Sequence, residues 1–181
     1  MKHFSIQTLC MIALFTAVIS ILAQFSVPLP FGVPLSLQNF AVALAAILLG
    51  RKYGTISILV YLLIGFIGIP VFANFRSGPG VFISPTGGFL LGYPIMTYLI
   101  GFGTEHRHRK GVYPICFLLG LLADYTAGLS LFCLVTSMDL STGIITCILP
   151  FLPADCIKGI LVSILGIKLR KQLLPEHTYH K

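Results

Sequence analysis

The sequence predicts an all-α integral membrane protein, one domain over residues 1–181, with six transmembrane helices and both termini cytoplasmic. Composition is the first observation behind this. Hydrophobic residues make up 56% of the 181 and charged residues only 9%, whereas a soluble domain carries about 25% charged residues as polar cover. The second is that apolar runs near or above ~18 residues recur along the chain, the length a helix needs to cross a bilayer core. The third is the sorting of the cations, which fixes the expected orientation.

The predicted spans are roughly 5–25, 38–50, 53–70, 86–103, 112–135 and 142–168. The first, MKHFSIQTLCMIALFTAVISILAQF, has the single Lys and long apolar core of a signal peptide. Its candidate cleavage region ends on Phe25 rather than a small residue, so it is read as helix one. Ala13 and Ala17 lie four apart on it, a small-residue face that lets a neighbouring helix approach closely. Packing inside the bundle and docking of a partner membrane protein both fit that face. The second span is short. The fourth and fifth are separated by the basic turn EHRHRKG.

Placed on this ladder, Lys2, Arg51, Lys52, Arg107, Arg109, Lys110, Lys168, Arg170, Lys171 and Lys181 fall on one side. The other side receives only Arg76, and Lys158 lies inside a span. The positive-inside rule makes the crowded side cytoplasmic, and an odd number of spans would scramble the alternation. The net charge of +7 is thus topological and not a nucleic-acid footprint.

Several chemistries are not expected. The five cysteines (10, 116, 133, 147 and 156) are scattered through apolar runs without a CxxC pair, and Cys behaves there as a small hydrophobe. Neither disulfide nor metal site is predicted, and His106 and His108 belong to a solvated basic turn. No GxxxxGK[ST], nucleophile elbow or HExxH occurs. No cofactor is expected and the chain does not read as an enzyme.

Function must then come from the few polar residues at membrane depth and on the outer side. Three outward segments stand out: VPLPFGVPLSLQNF (27–40) with Gln38, IPVFANFRSGPGVFISPTGGFLLGY (69–93) with Asn74 and Arg76, and PFLPADCIKG (150–159). Irregular backbone near membrane depth is tolerated only where protein covers it or it lines a cavity. Three such segments on one face predict a lidded pocket opening outward. Glycines at 78, 80, 87 and 88 permit a tight loop over a small ligand.

These stretches resemble a known family, the biotin-transporter substrate-binding components (BioY). YLLIGFIGIPVFANFRSGPGVFISPTGGFLLGY is similar to the family's signature, in which a Y-L-x-x-G-x-x-G-x-P-V-F run leads through a Gly-rich loop into P-T-G-G. VPLSLQNFAVALAAILLGRKYGTISILVYL and LPFLPADCIKGILVSIL resemble its P-V-P-I-T-L-Q and P-F-x-P-x-D-x-x-K elements. The resemblance covers about nine-tenths of the chain. It implies the substrate-capture subunit of an energy-coupling-factor transporter in a bacterial cytoplasmic (inner) membrane. Such a subunit binds biotin outside and delivers it by reorienting among the membrane lipids. Its partners are a coupling transmembrane subunit and two ATPase subunits, or further copies of itself if it works alone. The Ala13 and Ala17 face then resembles the surface presented to the coupling subunit.

Biotin offers two ureido N–H donors, one carbonyl, an apolar bicycle and a carboxylate. An ionised Asp is acceptor-only and suits the N–H edge, while Lys and Arg are donor-only and suit the carboxylate. Asp155 and Lys158 are three apart on one helical face, and Pro153 suits the first turn of that helix. The two are expected either to hold the ligand or, in its absence, each other. Phe72, Phe75, Phe89 and Tyr93 would supply apolar walls. The expected ligand-binding set is Asp155, Lys158, Arg76, Asn74, Gly87, Tyr93 and Gln38.

The chain departs from the family pattern where ANFRSGPG puts Asn74, Phe75 and Arg76 in place of small residues. Arg76 is assigned to the ligand carboxylate or to lid closure, with a solvent-facing role as the alternative. Asp124, in the middle of span five, is a further intramembrane acid that either lines a lower cavity or bonds a neighbouring helix. Two rival functions remain: the same architecture with a different vitamin or modified base, and an intramembrane enzyme using Asp124 and Asp155 as an acid pair. The latter lacks a GxGD-type element.

Overall fold

The computed structural model describes residues 6–27 and 33–173. Lys2, Lys181, Pro28 and Pro30, which the topology and the first outward segment invoke, lie outside the described residues.

Helix α1 is Ile6–Gln24, and an antiparallel ribbon follows in which β1 (Ser26–Val27) pairs with β2 (Leu35–Ser36). This small ribbon is an addition to the all-α expectation. Then come α2 (Gln38–Ile67), a loop with two 3-10 turns (Ala73–Phe75 and Pro79–Ile83), and α3 (Gly87–Glu105). Helices α4 (Val112–Thr136), α5 (Leu140–Cys147) and α6 (Leu152–Leu173) complete the described chain.

Helix α2 is two helices. At Gly50 the backbone takes φ 76° and ψ −178°, a region open essentially to glycine, and the chain doubles back. The amide of Gln38 lies 2.8 Å from the Tyr61 hydroxyl, although 23 residues of uninterrupted helix would set them about 35 Å apart. This reversal matches the expected separation of spans 38–50 and 53–70. Every residue from 41 to 50 is buried, which explains a helix apolar on all sides: it is wrapped by the others rather than by lipid.

The backbone N–H freed by the reversal finds a designated acceptor. Glu105, ending α3, accepts from the Arg51 N–H through Oε1 at 2.9 Å and pairs with Arg51 Nε through Oε2 at 3.2 Å. Arg170 of α6 donates to the Ile47 carbonyl beside the same turn. One end of the bundle thus collects Arg51, Glu105 and Arg170.

Helices α3 and α4 pack through small residues. A Cβ on Gly88 would lie 2.3 Å from the Ala127 carbonyl oxygen, and one on Gly120 would lie 3.1 Å from that of Met96. In a membrane, where lipid is as apolar as leucine, such close approach is a main source of helix association.

The outward faces are oily. Leu14, Ile21, Leu63, Leu118, Leu122 and Ile164 are among many large apolar side chains left exposed, as a lipid-facing surface requires. Among the described residues, three helices are long and apolar enough to cross a membrane, and α5 with α6, bent by 52°, form a fourth candidate. Within the expected span 142–168, residues 148–151 separate α5 from α6, at the outward segment that Pro150 opens.

Candidate functional site

At the end of the bundle away from Arg51 and Glu105, the segments around 33–39, 72–93 and 151–158 surround a cleft that is partly open to solvent. Its lining combines apolar walls with a few placed polar groups, as ligand pockets commonly do.

Helix α6 begins at Leu152 with Pro153 in its first turn, where a missing N–H is not needed. Asp155 sits in that first turn, so its carboxylate is favoured by the positive end of the helix dipole. Its side chain is 5% exposed. Oδ2 accepts from the Tyr125 hydroxyl at 2.7 Å, and Oδ1 accepts from Lys158 Nζ at 3.1 Å. Lys158 also donates to the Ser36 carbonyl at 2.8 Å, strapping β2 to α6. Asp155 and Lys158 therefore meet each other.

Gln38 is buried and donates through Nε2 to the Tyr61 hydroxyl, which donates to the Val71 carbonyl at 3.1 Å. This chain ties the start of α2 to its returning half and to the loop beyond. Tyr93 donates to Asn39 Oδ1 at 2.7 Å. Phe72 is edge-on to Tyr61 and Phe82, with centroids 5.4 and 5.6 Å away, and Phe89 adds a second aromatic wall. Arg76 is exposed at the rim, and makes no ion pair among the described residues.

Of the expected set, Asp155, Lys158, Arg76, Tyr93 and Gln38 line the cleft, and Asn74 and Gly87 do not. Asn74 has φ 59° and accepts from Ser26 Oγ at 2.8 Å, so it fastens the loop to β1. Gly87 is needed for close packing, since a Cβ there would lie 2.1 Å from the Phe82 carbonyl oxygen. Phe75, expected as a wall, is 71% exposed and outside the lining.

Asp124 is fully buried, lines neither the main cleft nor the smaller one beside it, and bonds no described residue. It lies against Gly92, where a Cβ would come within 2.6 Å of Oδ1. The expected bond to a neighbouring helix is thus not formed among the described residues, and Asp124 stands outside both clefts. The residues the sequence did not single out are Asn39, Tyr125 and Ser36. Asn39 was signalled only by standing next to Gln38 at the head of an apolar run, and Tyr125 by its adjacency to Asp124.

The sequence profile of the BioY family matches residues 1–174. The biotin transporter BioY of Thermotoga maritima is 36% identical over 158 residues, covering 87% of this chain and 92% of that protein. The biotin transporter BioY2 of Lactococcus lactis is 36% identical over 180 residues, covering 99% and 98%. The fold is similar to a crystal structure of the S-component for biotin from an ECF-type ABC transporter. That match has a TM-score of 0.83 and 34% identity, and covers 92% of each chain. A profile match over nearly the whole chain, two full-length relatives and a shared fold agree: the chain belongs to the BioY family, a family of transporters rather than enzymes.

Proposed function

We propose that this chain captures biotin from outside the cell in the cleft over α6 and delivers it across the cytoplasmic membrane, working with an energy-coupling module. The observation that carries the reading is Asp155, buried at the cleft and held by Tyr125 and Lys158. Each carboxylate oxygen keeps a second lone pair for a ligand N–H. Lys158 has committed two of its three N–H groups to Asp155 and Ser36, whereas Arg76 makes no ion pair among the described residues. The valerate carboxylate is therefore assigned mainly to Arg76 at the rim, and the ureido ring to the floor.

The topology that accompanies this reading has six spans, with α2 contributing two and α5 and α6 together one, and both termini cytoplasmic. Two observations support it: the reversal at Gly50, and the gathering of Arg51 and Arg170 at the end opposite the cleft. Uptake of labelled biotin by cells expressing this chain, with and without coupling subunits, tests the transport reading. Accumulation that requires the coupling subunits supports it, and no accumulation in either case refutes it.

Two further results are expected. Arg76→Gln should weaken biotin about 1.5- to 5-fold, the range of an ion pair near solvent, and should barely change binding of an uncharged biotin amide. Equal loss for both ligands would place Arg76 elsewhere. Ala13 and Ala17 are exposed on one stripe of α1 and are proposed as the docking face for the coupling subunit. Ala13→Trp with Ala17→Trp should leave biotin binding unchanged and abolish coupled uptake. Unchanged uptake would remove that assignment.

A further inference from the structure

The cleft presents two kinds of polar group to the same small region. Asn39, Asp155 and Lys158 line both the main cleft and the smaller one adjoining it, which also touches Phe40, Met96 and Phe117. They therefore converge where the two cavities meet. Asn39 is the member with no role so far.

Its orientation is set. The Tyr93 hydroxyl donates to Oδ1 at 2.7 Å, and Tyr93 is itself 4% exposed and packed into the core. That bond turns the amide oxygen toward Tyr93. Nδ2 makes no hydrogen bond among the described residues, and it is not among their fully enclosed, unpartnered atoms. An amide held this way offers the cleft two N–H donors. Asp155, which lines the same two cavities, offers acceptors. A donor and an acceptor presented to one small region are complementary to a flat group with a carbonyl flanked by an N–H, the edge of a cyclic urea. A ring with the reverse polarity would leave the Asn39 N–H groups and the Asp155 oxygens facing like groups, which a buried site penalises.

We propose that Asn39 is a specificity-determining residue that reads the ligand's ureido carbonyl, with Tyr93 as the positioning residue that keeps its donor edge toward the ligand. The assignment rests on biotin being the ligand.

The test uses biotin and 2-iminobiotin, whose carbonyl is replaced by an imine that is protonated at neutral pH, so an acceptor becomes a donor. Binding of both to the purified full chain is measured for the wild type, Asn39→Asp and Tyr93→Phe, with thermal unfolding as the check on folding. The wild type should favour biotin. Asn39→Asp exchanges a donor edge for an acceptor, so biotin should weaken and the preference should move about tenfold or more toward 2-iminobiotin. Tyr93→Phe frees the amide to turn its oxygen to the ligand, so the preference should move the same way by a smaller factor. If Asn39→Asp does not fold, Tyr93→Phe decides alone. Folded variants that keep the wild-type ratio of the two affinities overturn the proposal while leaving the biotin reading intact. A wild type that binds neither ligand overturns the biotin reading, and this inference with it.

Discussion

Asp155→Asn is expected to weaken biotin binding by about 10- to 150-fold, the equivalent of ~1.5–3 kcal/mol for a hydrogen bond to a charged group. The substitution keeps the shape but replaces one acceptor oxygen with an N–H₂ group. Tyr125 and Lys158 both donate to the present carboxylate, so at least one of them, or the ligand N–H, then faces a donor instead of an acceptor. Lys158 is also left with a neutral partner in a largely buried position, where an unpaired charge is costly. Equilibrium binding and an apparent melting temperature, measured on the same preparation, separate the two consequences. Undiminished affinity in a folded Asp155→Asn protein would remove the carboxylate from ligand recognition.

The second large effect concerns stability. Gly50→Ala should cost about 2–5 kcal/mol, combining ~1–3 kcal/mol for a side chain in a glycine-only backbone region with loss of the hydrogen bond that caps the reversal. A Cβ there would sit 2.5 Å from Glu105 Oε1, the atom that accepts from the Arg51 N–H. Gly80→Ala is the control, since its Cβ would meet nothing within 4 Å and its φ is not positive. Thermal unfolding in detergent should show a large drop for the first and almost none for the second. Equal shifts would mean that the reversal does not depend on Gly50. Glu105→Ala in the Gly50→Ala background should add less than it does alone, because the two changes break the same contact.

The parts of the fold that were legible in the sequence are those written in charge and apolar length. Gly50, Arg51 and Lys52 interrupt an otherwise oily run, so the reversal inside α2 was readable as a boundary between two spans. The Gly-rich loop and the Pro153–Asp155–Lys158 element were readable for the same reason: they are exceptions in apolar surroundings. The break between α5 and α6 was half readable: Pro150 and Pro153 marked an outward segment leading into a helix, but residues 142–149 carry the apolar character of a span and were counted into it.

The candidate site shows the same division. A charged residue at depth announces itself, but whether it faces the ligand depends on helix rotation, which composition does not fix. Asp155 and Asp124 look alike as intramembrane acids. One faces the cleft through Tyr125 and Lys158, and the other is pressed against Gly92. Asn39 and Tyr125 escaped notice because an amide and a phenol are ordinary in apolar runs. Their significance lies in contacts across 54 and 30 residues of chain. Asn74 and Gly87 were drawn into the expected set by their place in the loop, while their observed contacts hold the loop itself together.

Direct titration of biotin into the purified full chain, freed of any ligand carried through purification, tests the central claim most simply. The account predicts saturable binding at one site per chain, weakened by Asp155→Asn and outcompeting other vitamins. Absence of biotin binding by folded protein, or stronger binding of a different vitamin, would contradict it.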